Sequence, residues 1–207
     1  MKYNILFLLA FLSFSVWSQR SPMNQNEIES LKKSVVAKNQ EIKTIKTQFT
    51  QAKHLSFLSN DIYSSGEMIL QTPARLLWKY TDPFEYSIRF TENKIYIDDQ
   101  GKKHTVEAGN HSVFSKINQL IASSISGDVF TLPDFKFQFF KEANHRIVVL
   151  IPTQKELQGF IHQVELYFTP DAIVSEVKLV ETSEDYTHIV FKNQRINEKV
   201  DDAIFRF

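Results

Sequence analysis

Histidines, carboxylates and cysteines are the side chains that could carry catalytic or metal chemistry in this chain, and their spacing argues against both. Six histidines, His54, His104, His111, His145, His162 and His188, stand singly in different segments. None belongs to an HxH or HExxH pattern or lies near a carboxylate at ligand spacing, so they read as satisfied or solvent-facing strand residues. Asp98-Asp99 and Asp201-Asp202 are adjacent carboxylates. In a strand such neighbours point to opposite faces, which suits a turn better than an acid/base couple. No GxSxG elbow, P-loop or GxGxxG occurs, and five glycines leave phosphate-cradling loops nothing to be built from. The chain has no cysteine. That removes disulfides, thiolate zinc sites, Cys nucleophiles and lipid attachment to Cys together. The expectation is a protein that is not an enzyme, with no catalytic residue, no metal and no cofactor.

What remains to explain is apolar surface. Eighteen of the 207 residues are Phe, 43% are hydrophobic and 23% charged, the balance of an ordinary globular domain. Lys+Arg and Asp+Glu both number 24, for a net charge of zero. This excludes the basic excess that a nucleic-acid binder needs. Residues 1–18 read as a secretory signal peptide. Lys2 gives a small positive start, Ile5 to Leu12 is an unbroken apolar run, and Val16 and Ser18 occupy the −3 and −1 positions of a cleavage before Gln19. The run is too short to span a bilayer. Residues 19–207 are expected to form one domain, soluble in an exported compartment.

The elements that would position this apolar surface follow from periodicity. Asn24 or Asn26 can cap a helix of about four turns in which Ile28, Leu31, Val35 and Val36 recur at helical spacing. From Thr44 the period changes to two. Phe49, Leu55 and Phe57 share one face of the first strand, Met68 and Leu70 belong to the second, and Leu76, Trp78 and Tyr80 to the third. Tyr86, Ile88 and Phe90 follow, then Ile95 and Ile97 after a turn at Asn93-Lys94, and a short strand from Lys103 to Glu107. Phe114, Ile117, Leu120 and Ile121 then form a helical stripe with Val113, followed by a Ser-rich stretch. This is the arrangement of a lid over a barrel mouth, though an interior core helix carries the same stripe. Strands resume with Phe135, Phe137 and Phe139 and continue through 147–151, 160–168, 173–181 and 186–193, with Ile204-Phe205-Arg206-Phe207 closing the chain. Ten or eleven strands with two principal helices predict a mainly β, α+β domain, in which an antiparallel sheet curls into a complete or open barrel. Alternating Phe-rich strands suit a filled core as well as a cavity wall.

Several segments resemble a known family. Gln48-Phe49-Thr50-Gln51 resembles the Phe-x-Gln signature of the LolA-type periplasmic carriers of outer-membrane lipoproteins. Ser65-Gly66-Glu67-Met68-Ile69-Leu70 runs into Thr72-Pro73-Ala74-Arg75-Leu76-Leu77-Trp78-Lys79-Tyr80 and then Pro83, similar to that family's sequence of Gly, strand, Pro, strand with Trp, then Pro. Ile95-Tyr96-Ile97-Asp98, Phe191-Lys192-Asn193 and the closing Phe205-Arg206-Phe207 fit its later strands, and the order agrees over nearly all of residues 25–207. The resemblance implies an incomplete antiparallel barrel of about eleven strands with an N-terminal helix and a helical lid. It implies a hydrophobic cavity that takes the acyl chains of lipoproteins, an inner-membrane ABC transporter as donor, an outer-membrane acceptor, and a monomer. Phe49, Met68, Leu70, Leu76, Trp78, Tyr80, Ile88 and Phe90 are then expected as cavity wall, and Phe114, Ile117, Leu120 and Ile121 as lid.

Two features refine the implied function. The acceptor of the LolB type carries a lipidated Cys, so a signal peptide combined with no Cys points to the free carrier. The family's Arg before the Pro, which hydrogen-bonds the lid and holds the empty cavity closed, is Thr72 here. Arg75 would lie on the opposite face and is no simple substitute. The expected function is transfer of lipoproteins from the inner to the outer membrane; the alternative is a LolA-like carrier or accessory protein for another lipid or hydrophobic biosynthetic product.

Overall fold

A computed structural model describes residues 19–73, 75–91, 94–107, 123 and 128–206. The expected signal peptide, Asn93 and the four lid residues Phe114, Ile117, Leu120 and Ile121 lie outside the described residues.

Helix α1, Gln25–Glu41, starts where a capping box allows it. The Asn24 side chain accepts from the Glu27 N–H at 3.0 Å, and Glu27 Oε2 accepts from the Asn24 N–H at 2.8 Å. Of the two possible caps, Asn24 is therefore the one used. Leu31 and Val35 are buried, whereas Val36, one residue round the helix, is exposed. The helix ends at a link held by Asn197, whose Nδ2 donates to Glu41 O at 2.8 Å and whose Oδ1 accepts from Lys43 N at 2.7 Å.

Among the described residues, twelve strands make one antiparallel sheet. They are β1 (Ser21–Pro22), β2 (Thr44–His54), β3 (Ile62–Gln71), β4 (Arg75–Asp82), β5 (Tyr86–Phe90), β6 (Lys94–Asp99), β7 (Lys102–Glu107), β8 (Phe135–Glu142), β9 (His145–Pro152), β10 (Ile161–Phe168), β11 (Val174–Glu181) and β12 (Tyr186–Ile196). Their spatial order is β1-β8-β9-β10-β11-β12-β2-β3-β4-β5-β6-β7. Two meanders, β2 to β7 and β8 to β12, are joined side by side where β12 pairs with β2. The sheet does not close, because β1 and β7 are its edges. The extra strand is β1, too short for a periodicity to reveal; Pro22, which has no N–H to offer a further strand, stands on that edge.

Hairpin chemistry sets the register. Between β6 and β7 the two-residue turn Gln100-Gly101 has φ of 52° and 87°, and Asp98 Oδ1 accepts from the Gly101 N–H at 2.9 Å. Asp98 thus serves a turn, as its spacing predicts. Thr91 N donates to Lys94 O at 3.0 Å across the expected β5–β6 turn.

Three departures from periodicity are physical. Strand β2 ends at His54, and Leu55 and Phe57 enter a loop in which Leu58 N donates to Leu55 O; Phe57 is 78% exposed instead of facing inward. A single-turn helix α2, Lys155–Gln158, carries only Leu157 inward and is too short to show a stripe. The closing residues form a 3₁₀ turn at Asp202–Phe205, outside the sheet. Arg75 Nη1 donates to Asp202 Oδ1 at 2.8 Å and its guanidinium lies 5.8 Å from the Phe205 ring centre, while Arg89 Nε donates to Ile204 O at 3.0 Å. This segment covers the convex side of β4 and β5, where Leu77 and Ser87 are buried.

Candidate functional site

The eight expected wall residues share the concave face of the sheet. Register places Met68 opposite Trp78 and Trp78 opposite Ile88. One repeat along, Leu70, Leu76 and Phe90 form a second such row. Phe49 faces Gly66, and Gly66 faces Tyr80. Phe49, Met68, Leu70, Leu76, Trp78 and Ile88 are buried; Tyr80 and Phe90 are half-buried. The aromatic rings touch: Phe49 lies 4.5 Å from Trp78 and 5.2 Å from Tyr80, centre to centre, and Trp78 lies 6.1 Å from Phe191.

Gly66 makes the Phe49 position possible. A Cβ at Gly66 would fall 1.9 Å from Lys79 O, so only glycine lets β3 and β4 approach beside the bulge at Ser65/Gly66.

The apolar face continues beyond the residues that sequence singled out. Ile45, Leu150, Val164, Leu166, Phe168, Val174, Val177 and Phe191 join the same buried cluster as Leu31 and Val35 of α1. Phe130, from a 3₁₀ turn at Asp128–Thr131, lies 6.2 Å from both Phe137 and Phe139 and 6.5 Å from Phe168. Lys32 of α1 sets its ammonium 5.2 Å from the Phe139 ring centre. Alternation in β8 to β12 carried the same signal as in β2 to β5, so the buried apolar face extends past the four strands from which the expected wall was drawn. Between the end of α1, β2 and β12 lies a void of about 20 Å³, beside Asn39, Ile45 and Gln194. That is room for about one water.

Polar groups on this face are few. Tyr80 donates its hydroxyl proton to Gln51 Oε1 at 3.0 Å. Burial raises the Tyr80 pKa, and the neighbouring Trp78 indole and Gln51 offset part of that. The Trp78 Nε1–H is buried, with the Tyr80 hydroxyl oxygen beside it as its acceptor.

A buried charge network lies on the convex face. Glu165, 6% exposed, accepts from Arg20 Nη2 at 2.8 Å, from Arg20 Nη1 at 3.3 Å and from the Tyr167 hydroxyl at 2.7 Å. Burial raises the Glu165 pKa, but the hydrogen bonds of Arg20 and Tyr167 and the charges of Arg20 and Lys178 outweigh it and hold the carboxyl below its ordinary value. Burial and then Glu165 push the Tyr167 hydroxyl up. Strand pairing also brings His188 Nε2 within 2.8 Å, and His145 Nε2 within 3.8 Å, of the Glu176 carboxylate. Glu176 stands 31 positions from His145 and 12 from His188, and only the sheet brings the three together, so linear spacing gave no sign of it. Among the described residues no group of three or more His, Cys, Asp or Glu could hold a metal ion. The described residues contain no helix long and apolar enough to cross a membrane.

At the position of the family's latch, Thr72 Oγ1 lies 3.2 Å from Lys43 O, and the Thr72 N–H donates to the same oxygen at 2.9 Å. Thr72 thus holds the α1–β2 link, and Arg75 is engaged on the other face. Large apolar side chains left exposed concentrate at one end of the sheet: Phe57, Leu58, Phe84 and Phe160 in its loops, and Ile62 and Tyr63 at the start of β3.

Comparison with known proteins bears on this architecture. No curated protein matches the sequence. Among solved structures, the Pseudomonas aeruginosa MucA/MucB complex aligns with a TM-score of 0.50 at 10% identity, over 87% of this chain and 61% of that one. The LolA superfamily protein NE2245 from Nitrosomonas europaea aligns at 0.44 and 7% identity, over 84% and 97%. The Mycobacterium tuberculosis lipoprotein LppX aligns at 0.46 and 7% identity, over 86% and 99%. At such identities a likeness concerns the fold alone. The sequence itself matches the family "Outer membrane lipoprotein carrier protein LolA" over residues 40–207, most of the chain, and the protein belongs to that family.

Proposed function

We propose that this protein is a periplasmic carrier that takes the acyl chains of lipoproteins onto its concave face and moves them from the inner to the outer membrane. The observation that carries the reading is the unbroken apolar surface from Phe49 across Met68, Trp78 and Ile88, on a sheet whose family is that of lipoprotein carriers. The energetics require such a surface. Each methylene exposed to water costs about 0.8 kcal/mol, so a chain of roughly fifteen costs on the order of 12 kcal/mol to move unescorted. Phe, Leu, Ile and Met side chains replace the bilayer, and the patch of Phe49, Met68, Trp78 and Ile88 carries no charge. In this reading residues 1–18 direct export, Phe114, Ile117, Leu120 and Ile121 cover the cavity, an inner-membrane ABC transporter loads it and an outer-membrane acceptor unloads it. Release requires weak retention. Thr72 in place of the family Arg gives an empty state without that latch.

The reading is tested by release. Inner membranes carrying a newly acylated lipoprotein and its transporter, given ATP, should lose that lipoprotein into solution as a one-to-one complex when the protein is added. Lipoprotein that stays with the membrane at every protein concentration contradicts it.

A further inference from the structure

The exposed apolar side chains at one end of the sheet stand on a platform that the strand register builds. Four connections reach that end side by side: residues 153–160 before β10, 182–185 between β11 and β12, 55–61 between β2 and β3, and 83–85 between β4 and β5. They present Phe57, Leu58, Phe84 and Phe160, with Ile62 and Tyr63 beside them at the start of β3. The turns are tied to one another. Asp185 Oδ1 accepts from the Ser56 N–H at 2.7 Å, and that bond holds the Asp185 carboxyl below its ordinary pKa. His54 Nδ1 lies 2.8 Å from Asp61 Oδ1, which closes the 55–61 loop at its two ends. The Thr182 N–H donates to Phe160 O at 3.4 Å. Phe57 and Phe160 are therefore displayed on bonded turns that share the 182–185 connection.

Size and charge say what fits such a platform. Phe57, Tyr63, Phe160 and Phe84 are 78%, 69%, 60% and 53% exposed. At about 200 Å² for a full aromatic side chain, the four leave on the order of 500 Å² open. Leu58 and Ile62 bring the total to about 700 Å², more than a monomer ordinarily leaves bare in one place and near the roughly 800 Å² that one partner contributes to a stable interface. The same four connections carry Asp61, Glu85, Glu156, Glu184 and Asp185 against Lys155. This acidic excess repels a bilayer rich in anionic lipid, and it repels the same end of a second copy. It attracts a basic rim, which sets orientation while the apolar centre supplies affinity. Thr72 and the α1–β2 link lie at the opposite end of the sheet, so a molecule seated on the platform leaves them free.

We propose that this end of the sheet docks a partner protein whose contact surface is an apolar pocket ringed by Lys and Arg side chains. Phe57, Phe84 and Phe160 are the anchors that enter the pocket, and Glu85, Glu156 and Glu184 face the basic rim. Such docking is independent of what the concave face carries.

The test places p-benzoylphenylalanine singly at positions 57, 84 and 160 of the full chain, in the cells that make it, and irradiates them. Positions 36 and 106 are the controls, because Val36 and Val106 are exposed elsewhere on the molecule. All three platform positions should give an adduct with one and the same protein, in higher yield than the controls, and the attached segment of that protein should hold apolar residues flanked by Lys and Arg. Glu85→Lys, Glu156→Lys and Glu184→Lys together should cut the yield about fivefold to tenfold. Adducts with lipid alone would identify a bilayer as the occupant, and adducts with another copy of this chain would identify self-association; either overturns the proposal. Equal yields at the controls, no adduct at any position, a yield unchanged by the charge reversal or an attached segment without basic residues overturns it as well. The composition of the attached segment is read with the acidic residues intact, so it decides the matter even where the charge-reversed chain does not fold.

Discussion

Replacing Gly66 by Ala tests whether the wall depends on the close approach of β3 and β4. The added Cβ would lie 1.9 Å from Lys79 O, 2.8 Å from Lys79 C and 2.9 Å from Tyr80 Cα, all backbone atoms. Ordinary contact begins at 3.4 Å, so the strands must part by about 1.5 Å. No rotamer change can supply this, because the obstacle is the neighbouring strand itself. Losing two ladder hydrogen bonds costs about 1–3 kcal/mol, and the residual overpacking adds about 1–3 kcal/mol. The lower entropy of an unfolded Ala chain returns about 0.4–1 kcal/mol. The net is a loss of about 3 kcal/mol, or roughly 6–12 °C in melting temperature for a domain of this size. Urea unfolding followed by circular dichroism measures it. Gly159→Ala is the control: its nearest atoms stand 3.8 Å away, and its φ is −68°, so its midpoint should stay within about 0.5 kcal/mol of wild type. Since Gly66 faces Phe49, the Ala variant should also lose affinity for acyl probes. A Gly66→Ala protein with the wild-type urea midpoint would refute the claimed contact and the register built on it.

Other outcomes follow from the same geometry. Arg20→Ala should cost about 1–3 kcal/mol at pH 7, because it leaves Glu165 buried with its charge uncompensated. Glu165 has a folded pKa below its unfolded value, so its contribution is present above the unfolded pKa and is lost as pH falls through the folded one. The gap between Arg20→Ala and wild type should therefore narrow below about pH 4, and an unchanging gap in urea midpoints across that range would refute the pairing. In stopped-flow mixing, an apolar dye should bind the empty protein without a lag for lid opening, as a single phase whose rate rises linearly with dye. Thr72→Arg should introduce a limiting rate, and a plateau already present in the wild type would show a latch that does not depend on this position. Ser at Phe57 or Phe84 should shift the urea midpoint by no more than about 0.5 kcal/mol, since both side chains are exposed; a larger loss would place them in the core.

Much of this fold was legible because its signals are local. The helical spacing of Ile28, Leu31 and Val35, the switch to period two at Thr44 and the alternations Leu76-Trp78-Tyr80 and Phe135-Phe137-Phe139 each fix an element from a few neighbouring residues. Since one face of each strand must be buried, alternation also put the eight residues proposed as wall on one face. What sequence left out depends on distant partners. Ser21–Pro22 becomes a strand only because β8 offers an edge to it. Ile204 and Phe205 are as apolar as strand residues, yet Arg75 and Arg89 hold them in a turn on the convex side. Phe57 continues the alternation of β2, but the turn closed by Leu58 and Leu55 carries it out of the sheet. The Arg20–Glu165–Tyr167 network joins groups 145 and 147 positions apart, which meet only once the strands are in register. Residue types therefore revealed an apolar face, while the chemistry along it required the register.

The central claim is that this protein carries acyl chains of lipoproteins, and native mass spectrometry of the protein taken from the periplasm of cells making lipoproteins tests it most directly. The account predicts a second species heavier than the polypeptide by one acylated lipoprotein, which collapses to the bare polypeptide when the gas-phase complex is activated. A spectrum holding only the bare polypeptide, from cells whose lipoprotein release to the outer membrane is blocked, would contradict it.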